Sequence, residues 1–308
     1  MQIVVGEFVL ENTGLNNGHF DTMSHPPLDL DLLKPWIGRT ETRDDLIHTA
    51  AVNAMAATLD KDQTLSAGDS LPLLWHWLFF WAVSPASGLG PDGHPRRGGF
   101  LPPVELPRRM WAGGRLTFDA DLPVAAEAKR ISRIKAIDVK TGSSGRLAFV
   151  TVAHEITVNG KVAINEEHDI VYRDNPVPGA APTAPKAAPS DAVWSRVITP
   201  DPVLLFRYSA LTFNGHRIHY DRSYTTEVEG YPGLIVHGPL IATLLMDLLR
   251  TQCPERRVRE FSFRAVSPTF DTEPFSVNGT LSEDGHEAKL WAANSRGELT
   301  MQATALLA

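Results

Sequence analysis

The sequence predicts an α+β fold made of two copies of one unit, each a long central helix wrapped by a curved antiparallel sheet. Three observations predict it. A helical apolar pattern followed by segments of period-two alternation occurs twice along the chain. A segment with five prolines in 14 residues, Pro176 to Pro189, separates the two occurrences and precludes a helix or central strand there. The length, 308 residues, exceeds what one small core usually holds and suits two domains.

The N-terminus, Met1 to Glu7, has no positive segment and no long apolar core, so a secretion signal is not expected. Asp44 to Leu59 reads as an alanine-rich helix with acid at its start, where the helix dipole favours it. The most apolar run, Leu71 to Val83, is 13 residues long with His76 inside it. Roughly 20 residues are needed to span a bilayer, so it is read as buried or interface surface. Strands follow at Arg109–Phe118, Ala128–Lys140, Arg146–Thr157 and Val162–Arg173, with turns at Thr141–Gly145 and Asn159–Gly160. Gly88 to Gly93 matches a dinucleotide-binding GxGxxG by letters only: Pro91 and the glycines after it forbid a helix opening there, so it is a loop.

The proline-rich segment makes residues 174–193 a linker between an N-terminal unit, 1–173, and a C-terminal unit, 194–308. Beyond it, Gly233 to Arg250 carries apolar residues at close to helical spacing and should be largely buried. Val258–Val266, Phe275–Leu281 and Ala288–Leu307 alternate as strands.

Charge and cysteine content exclude several functions. Lys and Arg number 29 against 36 Asp and Glu, a net charge of −7, so no basic excess attracts nucleic acid or an anionic membrane. The single cysteine, Cys253, forms no internal disulfide and belongs to no CxxC pair, which fits a reducing cytoplasm.

The chemistry concentrates between Phe206 and Leu240. Asn214, His216, His219 and Asp221 crowd into eight residues, and Gly233 to Leu240 offers glycine-flanked backbone N–H groups at a helix start. Those parts suit proton transfer beside a carbonyl. Read alone, Asn214-Gly215 is a tight-turn dipeptide and Gly238 permits close packing. The pair His216 and His219 lacks the glutamate and third ligand of a zinc site, so no metal is expected.

This stretch resembles the MaoC-like hydratase/dehydratase superfamily in its double hot-dog form. Members carry an Asp, then Asn-Pro, an Ile-His pair with an acidic residue, and later a His-Gly opening the central helix. Here the Ile-His pair is Ile218-His219, the acidic residue Asp221, and the later pair is His237-Gly238, its glycine nineteen residues beyond His219. Asn214 stands at the Asp, and His216-Arg217 at the Asn-Pro. The wording Ser209 to Asp221 is similar to a branch that includes hydroxyacyl-thioester dehydratases and mesaconyl-C4-CoA and itaconyl-CoA hydratases, in which asparagine at this place is normal.

The resemblance implies reversible addition of water across the double bond of an acyl-CoA or acyl-carrier-protein thioester, with no cofactor. His219 is then the candidate base, since a neutral histidine accepts a proton near pH 7. Asn214 positions water or the histidine. Gly238 gives an oxyanion N–H at the helix start, where donors are unpaired. Arg217, His216, Tyr208, His237 and Arg264 are candidate substrate contacts, Arg217 for a second substrate carboxylate. Arg207, Arg222, Arg257 and Arg259 are further candidates for CoA phosphates, and Asp221 orients the loop. Dehydration in fatty-acid synthesis, thioester hydrolysis and non-catalytic thioester binding stay open beside hydration. Hot-dog units pair sheets edge to edge, so the two repeats form a pseudo-dimer expected to dimerise again.

Overall fold

The computed structural model describes residues 28–142, 145–175 and 184–308. The Met1–Glu7 segment, the centre of the Thr141–Gly145 turn and most of the proline run lie outside the described residues. Among the described residues ten strands form one antiparallel sheet: β1 Thr40–Leu46, β2 Arg108–Phe118, β3 Glu127–Gly142, β4 Gly145–Val158, β5 Lys161–Arg173, β6 Trp194–Ile198, β7 Val258–Ala265, β8 Phe275–Leu281, β9 Glu287–Asn294 and β10 Leu299–Leu307. Their order is β1-β3-β4-β5-β2-β7-β10-β9-β8-β6, so the strands before and after the proline run stay in separate halves.

The halves meet edge to edge where β2 pairs with β7, from Gly113 opposite Arg264 to Thr117 opposite Glu260. This seam is tight. A Cβ at Gly113 would stand 2.5 Å from the Phe263 carbonyl oxygen, which explains a glycine in mid-strand.

Four α-helices are present among the described residues: α1 Leu30–Leu33, α2 Thr49–Thr58, α3 Pro202–Leu211 and α4 Gly238–Gln252. Helix α4 buries nine residues from Leu240 to Leu249 and supplies the core of the second half. Each large apolar side chain so buried contributes roughly 1.5–3 kcal/mol. In the first half α2 is only ten residues long, and Leu71, Leu74, Trp75, Leu78, Phe79 and Phe80 complete the same apolar cluster. The Leu71–Val83 run is therefore mostly core up to Phe80, while Trp81, Ala82 and Val83 are exposed and Trp81 stacks on Phe213 at 4.9 Å. Among the described residues no helix is long and apolar enough to cross a membrane.

Two predicted helix starts are corrected. Asp44 and Asp45 belong to β1, paired with Lys129 and Ala128, and Asp45 accepts the Phe80 N–H at 2.6 Å. Gly233 to His237 is extended rather than helical, because the Ile235 and Val236 N–H groups bond to Ile218 and Thr269 carbonyls at 2.9 and 2.8 Å. Pro239 then suits the first turn of α4, having no N–H to leave unpaired. The Ala288–Leu307 pattern is two strands, broken where the Asn294 side chain accepts the N–H groups of Arg296 and Glu298. Helix α3 lay unread behind an apolar run; the Asp201 side chain caps it by accepting the Leu204 N–H at 2.8 Å.

The inner face of the first half has a polar middle. Along β5, Ile164, Glu166, His168, Ile170 and Tyr172 share one face by strand alternation. Glu166 is buried there, accepting from the Trp77 indole at 2.7 Å and lying 3.1 Å from His76 Nε2. His168 Nε2 approaches Glu166 to 2.6 Å, off the line of a good hydrogen bond, and its other nitrogen lies 3.3 Å from His154, which meets Ser132 at 2.8 Å.

Candidate active site

Helix α3 delivers Tyr208 and Ser209, after which the chain reverses through Phe213, held at φ 51°. Asn214 then makes the turn. Its side-chain oxygen accepts the His216 N–H at 3.1 Å, so the turn-building role is realised through that atom. A single 3₁₀ turn, Arg217–His219, carries His219 into a buried position against the start of α4.

His219 Nδ1 lies 2.7 Å from the Ile235 carbonyl oxygen. A carbonyl only accepts, so Nδ1 bears the hydrogen and Nε2 the free lone pair. The imidazole stacks on His237 with centroids 3.7 Å apart and planes 19° from parallel. His237 Nε2 in turn meets Ser209 Oγ at 2.8 Å, and the Tyr208 ring closes the far side at 4.9 Å. Tyr208 is fully buried behind His237, which makes it a support for that ring and not the substrate contact expected of it.

Gly238, next after His237, opens α4. A helix start leaves its first N–H groups without intrahelical partners; Pro239 has none to offer, and the Ile241 N–H returns to the His237 carbonyl. The space over Gly238 is bounded by the Met301 methyl and the Trp111 carbonyl, 3.8 and 3.9 Å from where a Cβ would stand.

The loop dismissed as a false GxGxxG supplies what sequence reasoning missed. Its Asp92 and His94 dock on the Asn214–His219 segment: the Asp92 carbonyl accepts the Arg217 N–H at 2.9 Å, and the His94 ring lies 4.1 Å from that of His216. Asp92 Oδ2 is 3.1 Å from His94 Nδ1. Gly93 has φ +87°, and a Cβ there would overlap the Gly215 carbonyl oxygen, so both loops need glycine where they touch. The available signal was a carboxylate and an imidazole in one glycine-rich segment.

Burial dominates the electrostatics. It pushes the His219 imidazole down to about 4, against the opposing hydrogen bond to Ile235 and with help from the charge of His94. His216 is lowered by burial, then by His94 and His219. Burial likewise lowers His94, outweighing Asp92. For Asp92 burial would raise the carboxyl, but the hydrogen bond and charge of His94 hold it low. At neutral pH the cluster is thus one carboxylate and neutral imidazoles. Asp92, His94 and His216 each bring a ligand atom within 4.8 Å of the others, a donor set a divalent metal could use. The pairing considered from sequence, His216 with His219, is not the one formed.

Two expected contacts are corrected. Arg217 binds Asp221 through Nε and Nη2 at 2.9 and 2.7 Å, reaches the Pro91 carbonyl at 3.0 Å and covers the Tyr224 ring at 4.1 Å. That guanidinium is committed within the protein. Arg264 lies exposed on β7 beside the seam, because alternation turns it away from the buried Phe263. Of the further arginines, Arg222 pairs with Asp271, Arg257 donates to the Asp119 carbonyl, and Arg207 and Arg259 are exposed. Asp221 does orient its loop, accepting the Tyr224 N–H at 3.1 Å.

Comparison with known proteins shows the family and the fold. A sequence model of the family described as hydroxyacyl-thioester dehydratase type 2 matches residues 74–271. The chain is 47% identical over 270 residues to mesaconyl-C(4)-CoA hydratase of Chloroflexus aurantiacus, covering 87% of this chain and 95% of that protein. It is 28% identical to the mitochondrial hydroxyacyl-thioester dehydratase type 2 of Schizosaccharomyces pombe, covering 80% and 90%. A MaoC-like dehydratase from Phytophthora capsici superposes with a TM-score of 0.66 at 14% identity, over 91% of this chain and 99% of that one. A Mycobacterium tuberculosis protein described as having a double hot-dog fold superposes at 0.50, with 13% identity over 88% and 96%. The fold is the double hot-dog, and the chain belongs to the hydroxyacyl-thioester dehydratase type 2 family.

Proposed function

We propose that this acyl-thioester hydratase/dehydratase adds water reversibly across the α,β double bond of an enoyl-CoA whose β-carbon carries a second carboxylate, with mesaconyl-C4-CoA the first candidate. The 47% identity to a mesaconyl-C(4)-CoA hydratase supports the substrate class. One observation carries the chemistry: a buried neutral His219 with Nδ1 fixed on Ile235 and Nε2 free, stacked beside the residue that opens α4.

In this scheme the water oxygen attacks Cβ and gives one proton to His219 Nε2. The π pair moves toward the thioester, and the Gly238 N–H meets the enolate oxygen as charge develops. The His219 imidazolium returns its proton to Cα, leaving the hydrated thioester and a neutral base. The Asn214 amide nitrogen orients the water, while its oxygen holds the turn. Every step runs through the chain and the substrate, so no metal or redox cofactor belongs to the scheme, and chelation with EDTA is expected to leave the rate unchanged. The reverse reaction, dehydration of a 3-hydroxyacyl thioester, is the second reading, favoured by the relative from S. pombe. A cytoplasmic homodimer is part of the proposal, with sedimentation velocity as its test.

Incubation with mesaconyl-C4-, itaconyl- and crotonyl-CoA should remove the enoyl absorbance without releasing thiol. Thiol release would make the protein a thioesterase; no loss of enoyl absorbance would defeat the hydratase reading. The base works only when neutral, and its pKa is pushed down to about 4, so the acid limb of kcat/KM should fall near pH 4 and not at the ordinary histidine value near 6.5. A limb at 6.5 would remove His219 as the titrating base.

A further inference from the structure

A second carboxylate on the β-carbon sits one bond from the atom that water attacks, so its counter-ion must stand close to His219. The arginines of the second half are engaged elsewhere or exposed. The first half offers an alternative on β2. Arg109 lies directly opposite Tyr172 of β5 in the sheet register, two residues before Trp111, whose carbonyl bounds the space over Gly238. Opposed residues in an antiparallel pair project on the same face, so Arg109 shares the inner face with Tyr172.

We propose that Arg109, with Tyr172 beside it and Arg97 beyond, forms a carboxylate-binding subsite next to the catalytic histidine that reads the second carboxylate of the substrate; the proposal rests on the hydratase reading for the thioester.

Three observations carry it. Arg109 is half-buried, and no carboxylate among the described residues lies within ion-pair distance of it. Its neighbour Arg108 shows the usual arrangement, with Nη1 2.7 Å from the Tyr231 hydroxyl and Nη2 3.6 Å from Glu229 Oε2. Tyr172 is 0% exposed, and its hydroxyl is approached by the Arg109 guanidinium but makes no hydrogen bond of sound geometry, so the phenol hydrogen has no acceptor. A buried phenol left unpaired is costly, and a ligand oxygen would satisfy it. The Arg97 guanidinium lies 5.7 Å from the Tyr172 ring centroid, held there by the Val104 and Pro107 carbonyls at 2.6 and 2.9 Å.

The charge of Arg109 also links this group to the catalytic loop. It is felt at His94 and at His216, lowering both after the larger effect of burial. At Tyr172 burial raises the pKa, opposed first by the charge of Arg109, then by its hydrogen bonding, then by the charge of Arg97. The imidazoles are neutral, and the carboxylate whose charge is felt at Arg97, Asp92, is engaged with His94. A planar guanidinium takes a carboxylate through two parallel hydrogen bonds, and the Tyr172 hydroxyl would supply a third.

Succinyl-CoA and butyryl-CoA test this without any turnover, because both are saturated and differ only in carboxylate against methyl on the β-carbon. Calorimetric titration should show the wild type binding succinyl-CoA about tenfold or more tightly. In Arg109→Leu the preference should disappear, and in Tyr172→Phe it should shrink by about threefold. Circular dichroism establishes that each variant is folded; if Arg109→Leu is not, Arg109→Lys and Tyr172→Phe decide, since each should reduce the preference. Equal affinities in the wild type, or a preference unchanged in the variants, would overturn the subsite. The enoyl-CoA assay on the wild type separately judges the hydratase reading, so the two failures are distinguishable.

Discussion

Replacing His219 by glutamine should lower kcat for enoyl-CoA hydration by about 10³-fold while leaving the fold and the binding of a saturated thioester in place, which is within the usual contribution of a positioned proton-transfer group. Glutamine can still donate to the Ile235 carbonyl, so the loop keeps its anchor while the proton acceptor is lost. His216 is a weaker base: burial, then His94 and His219, lower its imidazole, and its ring stands at 90° to that of His219 with centroids 5.6 Å apart. Single-turnover absorbance with titration of butyryl-CoA separates the effects. A variant that keeps a tenth of the wild-type rate would remove His219 from the chemistry. The same substitution should alter acid stability. The folded His219 pKa, about 4, lies below the unfolded value near 6.5, so its share of stability is complete above pH 6.5 and is lost as pH falls from there toward 4. Urea unfolding at stepped pH should show a shallower loss in His219→Gln over that window.

How much of this was legible in the sequence depends on whether the information was local. Strand ends were legible where turn chemistry is explicit, as at Asn159 and Gly160, whose φ of 52° and 74° are those of a hairpin turn with two left-handed residues. His219 and His237-Gly238 were singled out separately through the resemblance, and the fold brings the two rings into a stack that the sequence did not announce. Arg217 was misread because a sequence gives the neighbourhood of a charge but not its direction; only the fold aims it at Asp221 and the Pro91 carbonyl. Asp92 and His94 come from the other repeat, more than a hundred residues away, and no periodicity reports a contact of that range. Asp44 and Asp45 looked like a helix start because acids favour one, but pairing with β3 overrode that preference.

Truncation of Glu166 to alanine should cost about 3–5 kcal/mol of stability, the expected result when one partner of a buried charge network is removed. Burial alone would raise this carboxyl, but His168 and then His76 reverse the direction and hold it ionised. Its oxygens receive the Trp77 indole and face both imidazoles. The network has little slack, since His76 Nδ1 and Arg130 Nε are already buried without hydrogen-bond partners. Glutamine keeps one acceptor for Trp77 and should cost less, about 1–3 kcal/mol. The effect should also reach the active site: Trp77 packs edge-on against Trp111 at 5.0 Å, and the Trp111 carbonyl borders the space over Gly238. Urea unfolding with an unchanged m-value, read beside kcat/KM, tests both links. If Glu166→Ala stayed within about 1 kcal/mol of the wild type, water would have to satisfy the freed indole and imidazoles. A lower kcat/KM at preserved stability would instead make the network a positioning device for the Trp111 wall.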